Sequence, residues 1–176
     1  IRGGYPFGDT VIDGSSAKGS FGSCLLVFGA SKLILDRVVL RNGVGSSIFG
    51  ITRGGGIYVE YAALELIDVT IEQCSVETEP FGGPSWGGAI CNYGGLMVLD
   101  RCVIRDNRSD GEGGGIWTSQ GSIQMVNSLV TGNSSPNGGG LHAEGGSVSV
   151  DLSTFHANLA DEQGGAIMAR DGVDLS

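Results

Sequence analysis

The sequence is short of several things, and each shortage closes off a class of answer. Its 176 residues hold only 10 Lys and Arg against 19 Asp and Glu, a formal net charge of -9. No basic patch is available to hold a phosphate backbone, so nucleic acid is not an expected partner. No apolar run approaches the roughly 20 residues of a membrane helix, and no charged-then-apolar leader opens the chain. The four cysteines, Cys24, Cys74, Cys91 and Cys102, show no C-x-x-C spacing, which speaks against zinc. Cys102 falls at an apolar repeat position and reads as a small buried residue. The sequence does not fix a disulfide among the others. Proline is scarce, at 4 residues, while glycine reaches 33. Glycine at that level suits a linker, yet 40% of the residues are hydrophobic, and disorder goes with few large apolar groups.

What is present is a repeat. The apolar residues that close successive glycine motifs are Leu26 (in the degenerate "GSCLL"), Ile57, Ile90, Ile116, Leu141 and Ile167, at intervals of 31, 33, 26, 25 and 26 residues. Seven residues beyond the first five anchors lie Leu33, Leu64, Met97, Ile123 and Val148; nine beyond lie Leu35, Leu66, Leu99, Met125 and Val150. Val38, Val69, Cys102, Ser128 and Ser153 follow at twelve, and Leu40, Ile71, Ile104, Val130 and Phe155 at fourteen. At seventeen lie Gly43, Cys74, Asn107, Asn133 and Asn158. All length variation falls between that last position and the next glycine pair.

Apolar residues two apart give short strands with one face inward, and no window carries a helical period of 3.6. Each repeat therefore reads as three short strands and three corners. Glycine at the fifth position beyond the anchor (Gly95, Gly121, Gly146, Gly172) is expected at a corner of positive φ. One such coil cannot bury its own apolar row, but coils stacked strand over strand at about 4.8 Å can. The expected fold is an all-β parallel β-helix of five to six coils, with Asn107, Asn133 and Asn158 as an inward amide ladder interrupted by Cys74. The pairs Gly54–Gly55, Gly87–Gly88, Gly113–Gly114, Gly138–Gly139 and Gly164–Gly165 are expected where the chain returns close to the coil below. Two N-x-S sequons, at Asn107 and Asn133, fall on that ladder, so both are predicted to be unmodified.

The tetrapeptides resemble those of the polymorphic outer-membrane proteins of chlamydiae, marked by "GGAI" and "FxxN". Here "GGAI" stands at 87–90 and 164–167, "FHAN" at 155–158, and looser forms at 104–107 and 130–133. The resemblance spans roughly residues 24–176 and implies secreted, surface-exposed passengers and adhesins; no segment resembles that family's membrane barrel. Right-handedness enters by the same analogy, through β-helices such as pectate lyase.

Candidate sites are few. Asp36, Arg37 and Arg41 match Asp100, Arg101 and Arg105 two coils on, groups of the kind a uronate lyase uses, but their place at a corner suits turn chemistry and a surface charge pair. Acids gather in the variable loops (Glu77 and Glu79, Asp110 and Glu112, Asp161 and Glu162), which leaves Ca²⁺ as the one cofactor to consider, without an EF-hand or nonapeptide pattern. Tyr58, Cys91, Trp117, His142 and Met168 form a column one residue beyond the anchors that should point outward. Tyr58, Trp117 and His142, with Trp86 and Phe81 from the long 75–86 loop, are the candidate face for sugars or a protein. His142 and His156 fall in different columns with no nucleophile nearby, so no catalytic residue is assigned. No flat threonine column exists, which removes an ice-binding face.

The expected organisation is one β-helix segment over 1–176, a window on a longer solenoid: a partial first coil over 1–23, coils over 24–55, 56–88, 89–114, 115–139 and 140–165, and a truncated coil over 166–176. The expected role is an extracellular or cell-surface structural or adhesive rod, not an enzyme, with neighbouring solenoid segments, glycans or surface proteins as partners. The alternative is a polysaccharide-binding or polysaccharide-degrading β-helix.

Overall fold

The computed structural model describes residues 1–2, 10–15, 22–78 and 83–176. Glu79 and Phe81 lie outside the described residues. Apolar residues alternate with polar ones in strands of two to five residues, which pair in parallel with their counterparts one coil away except for the antiparallel pair Ser46–Ile48 and Ile51–Arg53. The anchor sheet runs Leu25–Phe28, Ile57–Glu60, Ile90–Tyr93, Ile116–Ser119, Leu141–Glu144 and Ile167–Arg170. A second sheet stacks Lys32–Asp36, Ala63–Ile67, Leu96–Asp100, Ser122–Val126, Ser147–Asp151 and Asp174–Leu175. A third stacks Thr10–Asp13, Val38–Arg41, Thr70–Glu72, Val103–Arg105, Leu129–Thr131 and Thr154–His156. The inward columns of the three sheets meet in one core, from Val27 and Leu35 through Ile57, Leu66, Ile90, Leu99 and Ile116 to Leu141 and Val148. This is a parallel β-helix.

The register corrects the first and last coils. Leu25, not Leu26, pairs with Ile57; Leu25 packs on the core, while Leu26 is 48% exposed. Three residues, not two, then join Leu25–Phe28 to Lys32–Asp36, and Gly29 takes the bend at φ 69°. In the last coil Leu175 pairs with Val148, so this strand arrives one residue later than in the coils before it.

The corners turn on left-handed residues at fixed offsets. The left-handed residue sits four beyond the anchor (Tyr61, Gly94, Gln120, Gly145, Asp171), then at eleven (Asp68, Arg101, Asn127, Leu152) and at sixteen (Gln73, Asp106, Gly132, Ala157), with Arg37 and Asn42 as the first coil's counterparts. Of the four glycines one past the first bend, Gly146 and Gly172 are left-handed, at φ 80° and 76°, whereas Gly95 and Gly121 are not and make room for a buried side chain. A Cβ at Gly95 would meet Asn92 Oδ1 at 2.4 Å, and one at Gly121 would meet Asn92 Nδ2 at 2.4 Å. Asn92 and Thr118 point inward in the anchor sheet, and Asn92 Nδ2 donates to Thr118 Oγ1 at 3.0 Å and to the Gly95 carbonyl at 3.1 Å. This polar pair inside the core had no signature in the apolar repeat.

The asparagines stack as amides. Asn107 Nδ2 donates to Asn133 Oδ1 at 2.9 Å, and Asn133 Nδ2 donates to Asn158 Oδ1 at 2.9 Å. Each Oδ1 also accepts the main-chain N–H one coil before it, of Cys74, Asn107 and Asn133 respectively. The second amide hydrogens go to the carbonyls of Ile71, Ile104 and Val130. The bend at this corner belongs to the preceding residue, so the asparagines serve by hydrogen bonding and not by left-handed geometry. The serines at the twelfth position repeat the device more weakly: Ser128 Oγ accepts the Cys102 N–H and Ser153 Oγ that of Ser128, both at 3.0 Å.

Candidate functional site

The column Tyr58–Cys91–Trp117–His142 lies on the outer face of the anchor sheet, as its alternation requires. It is nevertheless buried, and that corrects the expectation of an open face. Tyr58, Cys91, Trp117 and His142 are each 0–1% exposed. Before each glycine pair the chain folds back over this face. Thr52 and Arg53 pair with Ser85 and Trp86, Trp86 bridges to Glu112, and Glu112 bridges to Asn137. Trp86 stacks on Trp117 with centroids 4.4 Å apart. The Arg53 guanidinium sits 5.4 Å from the Tyr58 ring and 5.5 Å from that of Trp86.

The glycine pairs make this fold-back feasible. Gly87 bends at φ 69°, and a Cβ there would lie 2.1 Å from the Ile90 carbonyl oxygen. Gly88 is not left-handed, but a Cβ there would lie 2.1 Å from the Gly114 carbonyl oxygen in the next coil. The first glycine turns the chain and the second lets neighbouring coils touch.

A cleft of about 560 Å³ remains at the end of this cover, lined by Pro84, Trp86, Glu112, Asn137, Glu144 and Arg170 among others. A second one of about 470 Å³ adjoins it, sharing Asp110 and Pro136 and extending to Arg108, Leu159 and Asp161. Three elements bring its charges together. Glu112 is the residue before Gly113, Glu144 ends its anchor strand, and Arg170 is paired with Glu144 one coil on. Arg170 Nη2 donates to Glu112 Oε1 at 3.0 Å and also to Glu144 Oε1. The Glu144 contact holds the guanidinium more firmly protonated than usual. Trp117 Nε1 donates to Glu112 Oε2 at 3.2 Å.

Beneath these groups lies His142, with Nε2 3.5 Å from Glu144 Oε1 and 4.0 Å from Glu112 Oε2. Neither ring nitrogen has a hydrogen-bond partner among the described residues. The Asn137 main chain favours the protonated ring without completing such a bond. Burial pushes the His142 pKa down, aided by Arg170 and opposed by Glu112 and Glu144. An unmet buried polar side chain costs about 1–3 kcal/mol.

The other sequence candidates separate. Arg101 spans Asp68, with Nε to Oδ1 at 2.8 Å and Nη2 to Oδ2 at 3.0 Å. Arg105 pairs with Glu72 and Arg41 with Asp13, so these arginines tie neighbouring coils together. Of the loop acids, Asp110 accepts from Arg108 at 2.8 Å and Glu162 from Asn137 at 3.1 Å. They do not gather into one oxygen cage; among the described residues the one group with metal-ligand proximity is Glu112, His142 and Glu144. Glu144 and Arg170 escaped the sequence reading. The available signal was opposite charge at the same offset, three beyond the anchor, in consecutive coils.

The family model described as "Right handed beta helix region" matches residues 5–175. The chain therefore belongs to the right-handed β-helix family, and its solenoid is right-handed. No curated protein and no solved structure matches it.

Proposed function

We propose that the chain is a non-enzymatic adhesive segment of an extracellular or cell-surface rod, similar in kind to the passengers of the polymorphic outer-membrane proteins. Its ligand is a glycan, taken in the cleft beside Trp86. The observation that carries this reading is the cleft itself: one half-buried indole beside a fixed row of carboxylates, an amide and a guanidinium. Flat aromatic rings take the apolar face of a sugar, and fixed polar groups take its hydroxyls. The rest of the solenoid supports a scaffold role, since its corner charges are satisfied between coils. Neighbouring solenoid segments are its end-to-end partners.

The second reading, polysaccharide cleavage, draws on Glu112 and Glu144, two carboxylates in one cleft above a histidine whose pKa burial lowers. A glycan array with the full chain, followed by reducing-end and unsaturated-product assays on every glycan retained, separates the two. Retention lost in Trp86→Ala, with no product formed, is the expected result. Product formation abolished by Glu144→Gln establishes the second reading instead. Failure to retain any glycan overturns both.

A further inference from the structure

His142 is 0% exposed, yet both ring nitrogens lack a hydrogen-bond partner among the described residues. A neutral imidazole offers one donor and one lone pair. Here Nε2 faces two carboxylates at 3.5 and 4.0 Å; an Nε2–H completes no hydrogen bond to them, and an Nε2 lone pair meets only more lone pairs. One arrangement uses all three: a cation between them. We propose that Glu112, His142 and Glu144 form a binding site for a divalent transition-metal ion of the zinc class.

The ligand set is one imidazole nitrogen and two carboxylate oxygens, all within 4.8 Å of one another. Zinc takes such ligands at about 2.0–2.2 Å, which requires only small side-chain rotations from this spacing. The imidazole distinguishes the site from one for Ca²⁺ or Mg²⁺, which prefer oxygen alone. Glu112 is already oriented from behind by the Trp117 N–H at 3.2 Å, the kind of outer contact that fixes a ligating carboxylate.

Arg170 shows what the site does without a metal. Its guanidinium joins Glu112 and Glu144 as a cation would, but it has no lone pair to accept and none of its contacts is to His142. With Arg170 present, two carboxylates and one guanidinium sum to -1; with a divalent ion in its place they sum to zero. Arg170 has room to move aside, because its side chain is 42% exposed and the exposed Asp171 offers Oδ2 3.8 Å from Nε. This site does not depend on the glycan reading, since three side chains of the chain itself define it.

The test is titration of the full chain, stripped with a chelator, with ZnCl₂ by calorimetry and with Co²⁺ by visible absorption. One ion per chain is expected, with a Co²⁺ spectrum of nitrogen and oxygen ligation. Glu144→Gln and His142→Gln should weaken binding at least about tenfold, and Arg170→Ala should tighten it several-fold. His142 is buried, so Glu144→Gln and Arg170→Ala, both nearer the surface, carry the test if His142→Gln fails to fold by circular dichroism. Absence of binding in both wild type and Arg170→Ala overturns the proposal. So does binding unchanged in Glu144→Gln, binding lost in a control His156→Gln, or Ca²⁺ bound as tightly as Zn²⁺.

Discussion

Trp86 lies flat on Trp117, ring centroids 4.4 Å apart and planes 2° from parallel. The upper ring comes from the segment that folds back before a glycine pair, the lower from an anchor strand one coil on. The contact therefore fastens the cover to the sheet. Trp86→Ala should remove about 1–3 kcal/mol of stability, part from lost apolar burial and part from the stacked pair. Trp117 emission should shift to longer wavelength as water reaches it. Unchanged emission and an unchanged denaturation midpoint would show that the cover holds without the pair.

Asn133 is the centre of the amide ladder, and its side chain makes four hydrogen bonds: to Ile104 O, to Asn158 Oδ1, and from the N–H and Nδ2 of Asn107. Asn133→Ala leaves those partners unmet in the interior. The expected loss is about 2–4 kcal/mol, measured by guanidinium unfolding, against a few tenths for an exposed change such as Leu152→Ala. The same geometry forbids a glycan on this amide. Expression in a host that glycosylates N-x-S should give an intact mass with Asn107 and Asn133 unmodified; a glycan on Asn133 in folded protein would contradict the ladder.

Gly88→Ala places a methyl 2.1 Å from the Gly114 carbonyl oxygen, a backbone atom that cannot swing aside. Either the coils part or the chain fails to fold. At Gly22 a Cβ meets nothing within 4 Å, so Gly22→Ala is the matched control. Thermal melts of the pair should differ strongly, with Gly88→Ala giving insoluble or early-melting protein and Gly22→Ala staying close to wild type. Similar melts for the two would mean that the coils are not packed as tightly as the backbone distances state.

The coil was legible because stacking makes the sequence periodic: Ile57, Ile90, Ile116 and Leu141 share one environment, so they share one residue type. The same logic made the asparagine column readable. The first coil misled because "LL" offers two equivalent anchors, and only pairing to Ile57 shows that Leu25 faces inward. The buried Asn92–Thr118 pair was invisible because it breaks the apolar rule that defined the inward positions. The candidate site was half legible. Trp86, Trp117 and His142 were picked out by type, but alternation gives only the side of a strand, not what covers it. The cover is a column of its own, Arg53, Trp86, Glu112 and Asn137, each the residue before a glycine pair. Its members share a place and not a chemistry, so no residue-type repeat announces it.

The cysteines test the same geometry by reactivity, because the thiolate is the attacking form. Burial pushes the Cys102 pKa up to about 11. It also raises that of the fully enclosed Cys91. Cys74 is raised too, chiefly by its hydrogen bond to Cys24 and then by burial. Cys24 alone is only partly covered, and that same bond to Cys74 lowers its pKa against the opposing effect of burial. At pH 8 an aromatic disulfide reagent should therefore modify one thiol quickly, with the label mapping to Cys24. Cys74, Cys91 and Cys102 should react only as the protein unfolds, and their rates should follow the denaturation curve. Rapid labelling of Cys91 in folded protein would mean that the cover over the anchor sheet opens on its own, and the buried column would then be a surface after all.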